Sequence, residues 1–108
     1  MTITPQTVGN ATVVPLQGQI NSANAAGVEV KLLDVVDRGA RLLVLDFAAL
    51  DYISSAGLRL VLVLAKRLAQ DGGRLVLCAM QPHVREVFDI SGFLSILDVR
   101  ATREDALA

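Results

Sequence analysis

The sequence holds no tryptophan, one tyrosine and three phenylalanines, too few aromatic faces for a platform on which bases stack. Its single cysteine, Cys78, excludes an intramolecular disulfide framework. With a single histidine beside it, the usual nitrogen–sulfur zinc site has too few ligands. No charge sign dominates: ten Lys and Arg oppose eleven Asp and Glu, for a formal net charge of -1. A phosphate-tracking surface shows a basic excess or cluster, so nucleic acid is not an expected partner. The same balance provides no polybasic anchor for an anionic membrane. Apolar runs are short as well. Leu60–Ala65 and Leu75–Met80 are the longest, far below the roughly 18 residues that suggest a membrane span. Met1-Thr2-Ile3-Thr4-Pro5 has neither a basic nor an apolar leader region, so a cytoplasmic location is the expectation.

What is present is core-forming material. Of 108 residues, 53% are hydrophobic and 19% charged, a composition that folds as a globular unit of common single-domain size. No linker, repeat or low-complexity stretch divides it, so residues 1–108 read as one domain. Thr2–Val8 and Ala11–Gly18 are β-leaning runs about Gly9-Asn10, a tight hairpin signal. Pro5 and Pro15 place both runs near an edge or a bulge. Asn21 or Ser22 suits a helix N-cap. From there to Asp37, Val28, Leu32, Val35 and Val36 share one helical face, with Glu29 and Val30 as misfits. Gly39 stops that helix, and Arg41–Asp46 reads as a strand buried on both faces.

Leu58–Ala69 is ambiguous by composition, because Val61 and Val63 favour strands. Arg59, Lys66 and Gln70 coincide on a helical wheel but Arg59 and Lys66 would oppose each other on a strand, so the segment reads as a largely buried helix. Asp71-Gly72-Gly73 ends it. Arg74–Met80 is the next strand, Pro82 opens a short helix to Asp89, Ser95–Val99 is a short strand, and Thr102–Leu107 a terminal helix. The order β-β-α-β-α-β-α-β-α predicts an α/β domain: a mixed, mostly parallel sheet with helices packed against it through right-handed crossovers. Leu43, Leu45, Leu62, Leu75 and Leu77 are the expected core.

The common catalytic and nucleotide-binding motifs are missing, and the chain is not expected to be an enzyme. His83, beside Pro82, reads as an exposed first-turn residue, and Cys78 as a small core side chain. Asp46 and Asp51 bracket Phe47–Leu50 just past a parallel strand, where they serve either turn chemistry or a site at that end of the sheet. The distinctive feature is Asp51-Tyr52-Ile53-Ser54-Ser55-Ala56-Gly57-Leu58-Arg59. Two consecutive hydroxyls stand at the mouth of a helix, where one can act as N-cap. A phosphate on either would meet unpaired N–H groups and the positive end of the helix dipole. Gly57, lacking a Cβ, would let another backbone or a ligand come close.

Tyr52-Ile53-Ser54-Ser55-Ala56-Gly57-Leu58-Arg59 resembles the phosphorylation motif of bacterial anti-sigma factor antagonists, which are STAS domains. The resemblance covers nearly the whole chain. Leu16-Gln17-Gly18-Gln19-Ile20-Asn21 is similar to the family's second-strand signature and Leu43-Val44-Leu45-Asp46 to its third strand. Gly72–Leu77 and Val87–Phe93 are similar to its late strand and third helix. The resemblance implies a non-enzymatic switch protein, phosphorylated at Ser55, with Ser54 as a possible second acceptor. It implies two partners, an anti-sigma factor with serine-kinase activity and a metal-dependent serine phosphatase; ATP and magnesium belong to the kinase, so the chain needs no cofactor of its own. The expected contact surface takes in Asn21, Ser22, Asn24, Ser54, Ser55, Ala56, Gly57, Leu58 and Arg59. Three positions depart from the family pattern: Ser54 stands where Asp is usual, Ala56 where Ser or Thr is common, and Asn21 where an acidic residue is common. The alternative the fold allows is a structural STAS subunit of a transporter complex, with no phosphorylation cycle.

Overall fold

The computed structural model describes every residue from Met1 to Ala108. Strands β1 (Gln6–Val8) and β2 (Ala11–Ile20) form the antiparallel hairpin expected about Gly9-Asn10, with Gly9 at φ 61°. Helix α1 (Ala25–Asp37) leads to β3 (Leu42–Ile53), α2 (Ser55–Gln70) to β4 (Arg74–Cys78), and α3 (Pro82–Ile90) to β5 (Asp98–Arg100); α4 (Arg103–Leu107) closes the chain. The sheet order is β1-β2-β3-β4-β5, antiparallel at the first pair and parallel elsewhere. Sequential parallel strands joined by crossovers of one hand put every crossover helix on the same face. The main core accordingly lies between that face and α1, α2 and α3, with Leu16, Leu43, Leu45, Leu77, Val84 and Phe88 among its buried members. A smaller cluster on the opposite face, with Val13, Val44, Val76 and Cys78, is covered by Ala106 of α4. No helix is long and apolar enough to cross a membrane.

The structure departs from the expected elements at several boundaries: β1 starts at Gln6, β2 runs on to Ile20 and β4 stops at Cys78. The third strand runs on past Asp46 to Ile53, because β3 carries two bulges against β2. Between Pro15↔Asp46 and Gln17↔Ala49, and again between Gly18↔Leu50 and Gln19↔Tyr52, β3 advances one residue more than its partner. Each extra residue re-phases the side chains. Phe47, Leu50 and Ile53 all face the core at a spacing of three, a rhythm that does not read as a strand. Asp51, like Asp46, therefore lies within β3 rather than past it.

Next, Leu62 is only half-buried. It lies about 120° round the helix from buried Leu68, on the flank of α2. In the late chain, Phe93–Ser95 form a 3-10 turn and β5 begins at Asp98. Ile96 is 65% exposed there. Helix α2 begins at Ser55, in keeping with the serine pair expected at its mouth.

Candidate functional site

Parallel α1 and α2 bring their N-termini together at the C-terminal end of β2 and β3. The turn into α1 is held by side chains. Asn21 Oδ1 accepts the N–H groups of Ala23 at 2.9 Å and Asn24 at 3.0 Å, and Asn24 Oδ1 accepts that of Asn21 at 2.8 Å. This reciprocal pattern has the form of a capping box but lies in the turn before α1, whose N-cap is Asn24 rather than the expected Asn21 or Ser22. Asn24 Nδ2 donates to Gln19 O at 2.8 Å, so the Asn24 amide also fastens the start of α1 to β2. Ser22 between them is exposed.

The two adjacent serines divide their labour. Ser54 is the N-cap of α2: its backbone is extended, its Oγ accepts the Gly57 N–H at 3.2 Å, and its own N–H donates to Ile20 O at 2.8 Å. Ser55 is the first helical residue and is exposed, and its hydroxyl makes no hydrogen bond within the chain. The first turn of α2 contains no acidic residue. A charge of about -1.5 to -2 placed on Ser55 would sit against free first-turn N–H groups without a like charge in that turn.

Ser55, Ala56, Arg59 and Val63 of α2 line a groove of about 610 Å³ with Ser22, Ala25, Ala26 and Glu29. Glu29, the misfit of the α1 pattern, is half-buried in this groove, while Val30 is 67% exposed. Neither Glu29 nor Arg59 forms an ion pair within the chain. At the far end of the same helix pair, Arg67 bridges Asp37 and Asp71, so the two helices are tied there and open toward Ser55.

The family model of the STAS domain matches residues 2–106. The chain belongs to the STAS family. A protein of Bordetella bronchiseptica named as the anti-sigma factor antagonist BtrV is 55% identical over 108 residues, which are 100% of this chain and 93% of that one. Among solved structures, the anti-sigma factor antagonist SpoIIAA in its unphosphorylated form superposes with a TM-score of 0.81 at 27% identity, covering 98% of this chain and 93% of the other. The Bacillus cell-fate determinant SpoIIAA in its phosphorylated form gives 0.73 at 26%, with coverages of 98% and 96%.

Within this STAS domain, two residues of the expected surface lie beneath it. Gly57 is buried, and Leu58 is 7% exposed. The reason is packing: a Cβ on Gly57 would stand 2.5 Å from Ile53 Cγ1 and 2.9 Å from Ile20 Cγ2. Gly57 thus allows α2 to settle on the strand ends, rather than admitting a ligand or partner. Ala56 is half-buried, and Ser22, Ser55 and Arg59 are exposed. Ala25, Ala26 and Val63 complete the groove but carry no distinctive signal in the sequence.

The remaining candidates are structural in their contacts. Cys78 is fully buried, and its thiol is pushed from the ordinary 9.0 up to about 11, by burial first and by the nearby Asp46 charge second. It stays a neutral thiol at ordinary pH, unlike an activated nucleophile. Asp46 is the one buried charged residue; its Oδ2 pairs with Arg103 at 2.7 Å, and its Oδ1 accepts the Ala48 N–H at 2.9 Å. His83 is an exposed first-turn residue of α3, and its Nε2 lies 2.6 Å from Asp51 O.

Proposed function

We propose that this STAS domain is an anti-sigma factor antagonist, non-enzymatic itself, whose binding is switched off by phosphorylation of Ser55. Unmodified, it binds an anti-sigma factor with serine-kinase activity and releases what that partner had sequestered. The kinase then places phosphate on Ser55, and a metal-dependent serine phosphatase removes it. The observation that carries this reading is the split between the serines: Ser54 is spent on the helix cap and Ser55 is exposed with an unengaged hydroxyl. The whole-length likeness to BtrV and to SpoIIAA, whose structures include both phosphorylation states, supports it.

The contact surface is the groove rim: Ser22, Ala26, Glu29, Ser55, Ala56 and Arg59. Added charge at Ser55 repels the partner, while Arg59, four residues on and on the same helical face, can reach back toward the phosphate. The usual Asp before the acceptor is replaced here by Ser54, which still caps the helix, so the cap is kept while one negative charge is lost.

The test is phosphosite mapping after incubation with the partner kinase, ATP and magnesium. A single phosphate on Ser55, absent from Ser55→Ala and retained in Ser54→Ala, is the expected result. Modification at Ser54 alone would overturn the assignment. Stable association with a transporter ATPase, unchanged by Ser55→Ala, would favour the structural-subunit alternative.

A further inference from the structure

Strand β3 outruns its neighbour on one side. Pairing with β4 ends at Asp46↔Cys78, whereas β2 accompanies β3 to Ile53. The edge of residues 47–53 that faces α3 has no strand partner, and such an edge leaves backbone groups to be satisfied some other way. The chain leaves β4 through Ala79, whose φ of 60° lies in the left-handed region that alanine seldom occupies. That turn carries Gln81 and His83 back across the bare edge. Gln81 Nε2 lies 2.9 Å from Leu50 O, 3.2 Å from Ala48 O and 3.1 Å from Asp51 Oδ1. His83 Nε2 donates to Asp51 O at 2.6 Å. Asp51 is the extra residue of the second bulge, the one without a partner in β2.

From Asp51 a continuous mechanical path leads to Ser55. Ile53, 3% exposed, is the surface against which Gly57 packs. Ser54 holds Ile20 O through its N–H and the Gly57 N–H through its hydroxyl. Ser55 comes next. At the other end, α3 is fixed in the core through Val84 and Phe88, and Phe88 meets Phe47 edge-on with centroids 5.7 Å apart. Helix α3 is therefore a rigid post from which two side chains grip the bulge.

We propose that Gln81 and His83 are positioning residues for Ser55: they clip the second bulge of β3 to α3 and thereby set where the cap of α2 forms. This rests on the reading of Ser55 as the regulated position, but the clip itself is testable without any partner. The imidazole donates from Nε2 in its neutral Nε2–H tautomer and in its protonated form alike, so the clip holds in both.

Amide exchange of the full-length chain, followed residue by residue by NMR, decides the matter. In Gln81→Ala/His83→Ala, the Ser54 and Gly57 amides should exchange at least about tenfold faster, while Leu45 and Val76 stay within about twofold of the parent. His83→Ala alone should give a smaller acceleration confined to the same amides. His83→Gln, which keeps a donor, should restore part of the protection. Unchanged exchange at Ser54 and Gly57 would overturn the proposal, as would equal acceleration at Leu45 and Val76. If the exchange result holds but the partner kinase leaves the parent chain unmodified, the clip stands and the phosphorylation reading fails.

Discussion

The Cβ that Gly57 lacks would stand 2.5 Å from Cγ1 of Ile53. Neither position can yield cheaply, because Ile53 is held in the main core and Gly57 in the first turn of α2. Gly57→Ala should therefore destabilise the domain by about 1–2 kcal/mol in urea melts, the overpacking cost outweighing alanine's better helix propensity. An unchanged or raised stability would show that α2 is free to shift outward.

Ser54 and Ser55 should separate in the same assay. Ser54→Ala removes an N-cap that accepts the Gly57 N–H, and a loss of about 1 kcal/mol is expected. Ser55→Ala removes an exposed hydroxyl with no internal partner, and a change within about 0.5 kcal/mol is expected. Equal losses in the two variants would contradict the division of roles.

The Asp46–Arg103 pair fastens α4 over the second sheet face. Its side chains are 12% and 33% exposed, so the pair is only partly desolvated. Arg103→Ala leaves the Asp46 carboxylate with the Ala48 N–H alone and should cost about 1–3 kcal/mol, less than a fully buried pair would. A double-mutant cycle with Asp46→Asn should show coupling of about 1 kcal/mol. Additive losses would mean that the two residues act separately.

Cys78 supplies a pH dependence with a definite sign. Its thiol is raised from 9.0 to about 11 in the folded chain, so the folded state holds that proton longer than the unfolded state does. The associated stability is complete below about pH 9 and is lost as pH rises toward about 11. Stability measured across that window should fall more steeply for the parent than for Cys78→Ala. In the native chain at pH 8, alkylation of Cys78 should be slow and should become fast in urea. Rapid alkylation of the folded protein would contradict its burial.

Much of the fold is legible in the sequence because local signals agree there. Gly9-Asn10 marks the hairpin, Gly39 follows the end of α1, and Thr102 caps α4 through the Asp105 N–H. The end of β3 is not legible, because its bulges break the two-residue alternation on which strand reading depends. Leu62 shows the same limit on a helix, where composition says apolar but position says flank. At the site, the serine pair is visible, but which serine caps depends on where the bulged strand delivers the chain. Gly57 stands out in the sequence for its missing Cβ, yet the neighbour that needs the space is Ile53, far from obvious at a distance of four residues. Gln81 and the bonding role of His83 give no signal, since their partners, mostly backbone carbonyls of the bulged strand, are brought near by topology alone.

The central claim is an electrostatic switch at Ser55, and its most direct measurement is the affinity of the partner kinase for the chain in its two forms. Calorimetric titration should compare unmodified protein with protein carrying stoichiometric phosphate on Ser55, at one fixed ionic strength. The unmodified form should bind at least about tenfold more tightly, a difference of about 1.4 kcal/mol, and Ser55→Ala should bind like the unmodified parent. Equal affinities for the phosphorylated and unmodified forms would contradict the switch.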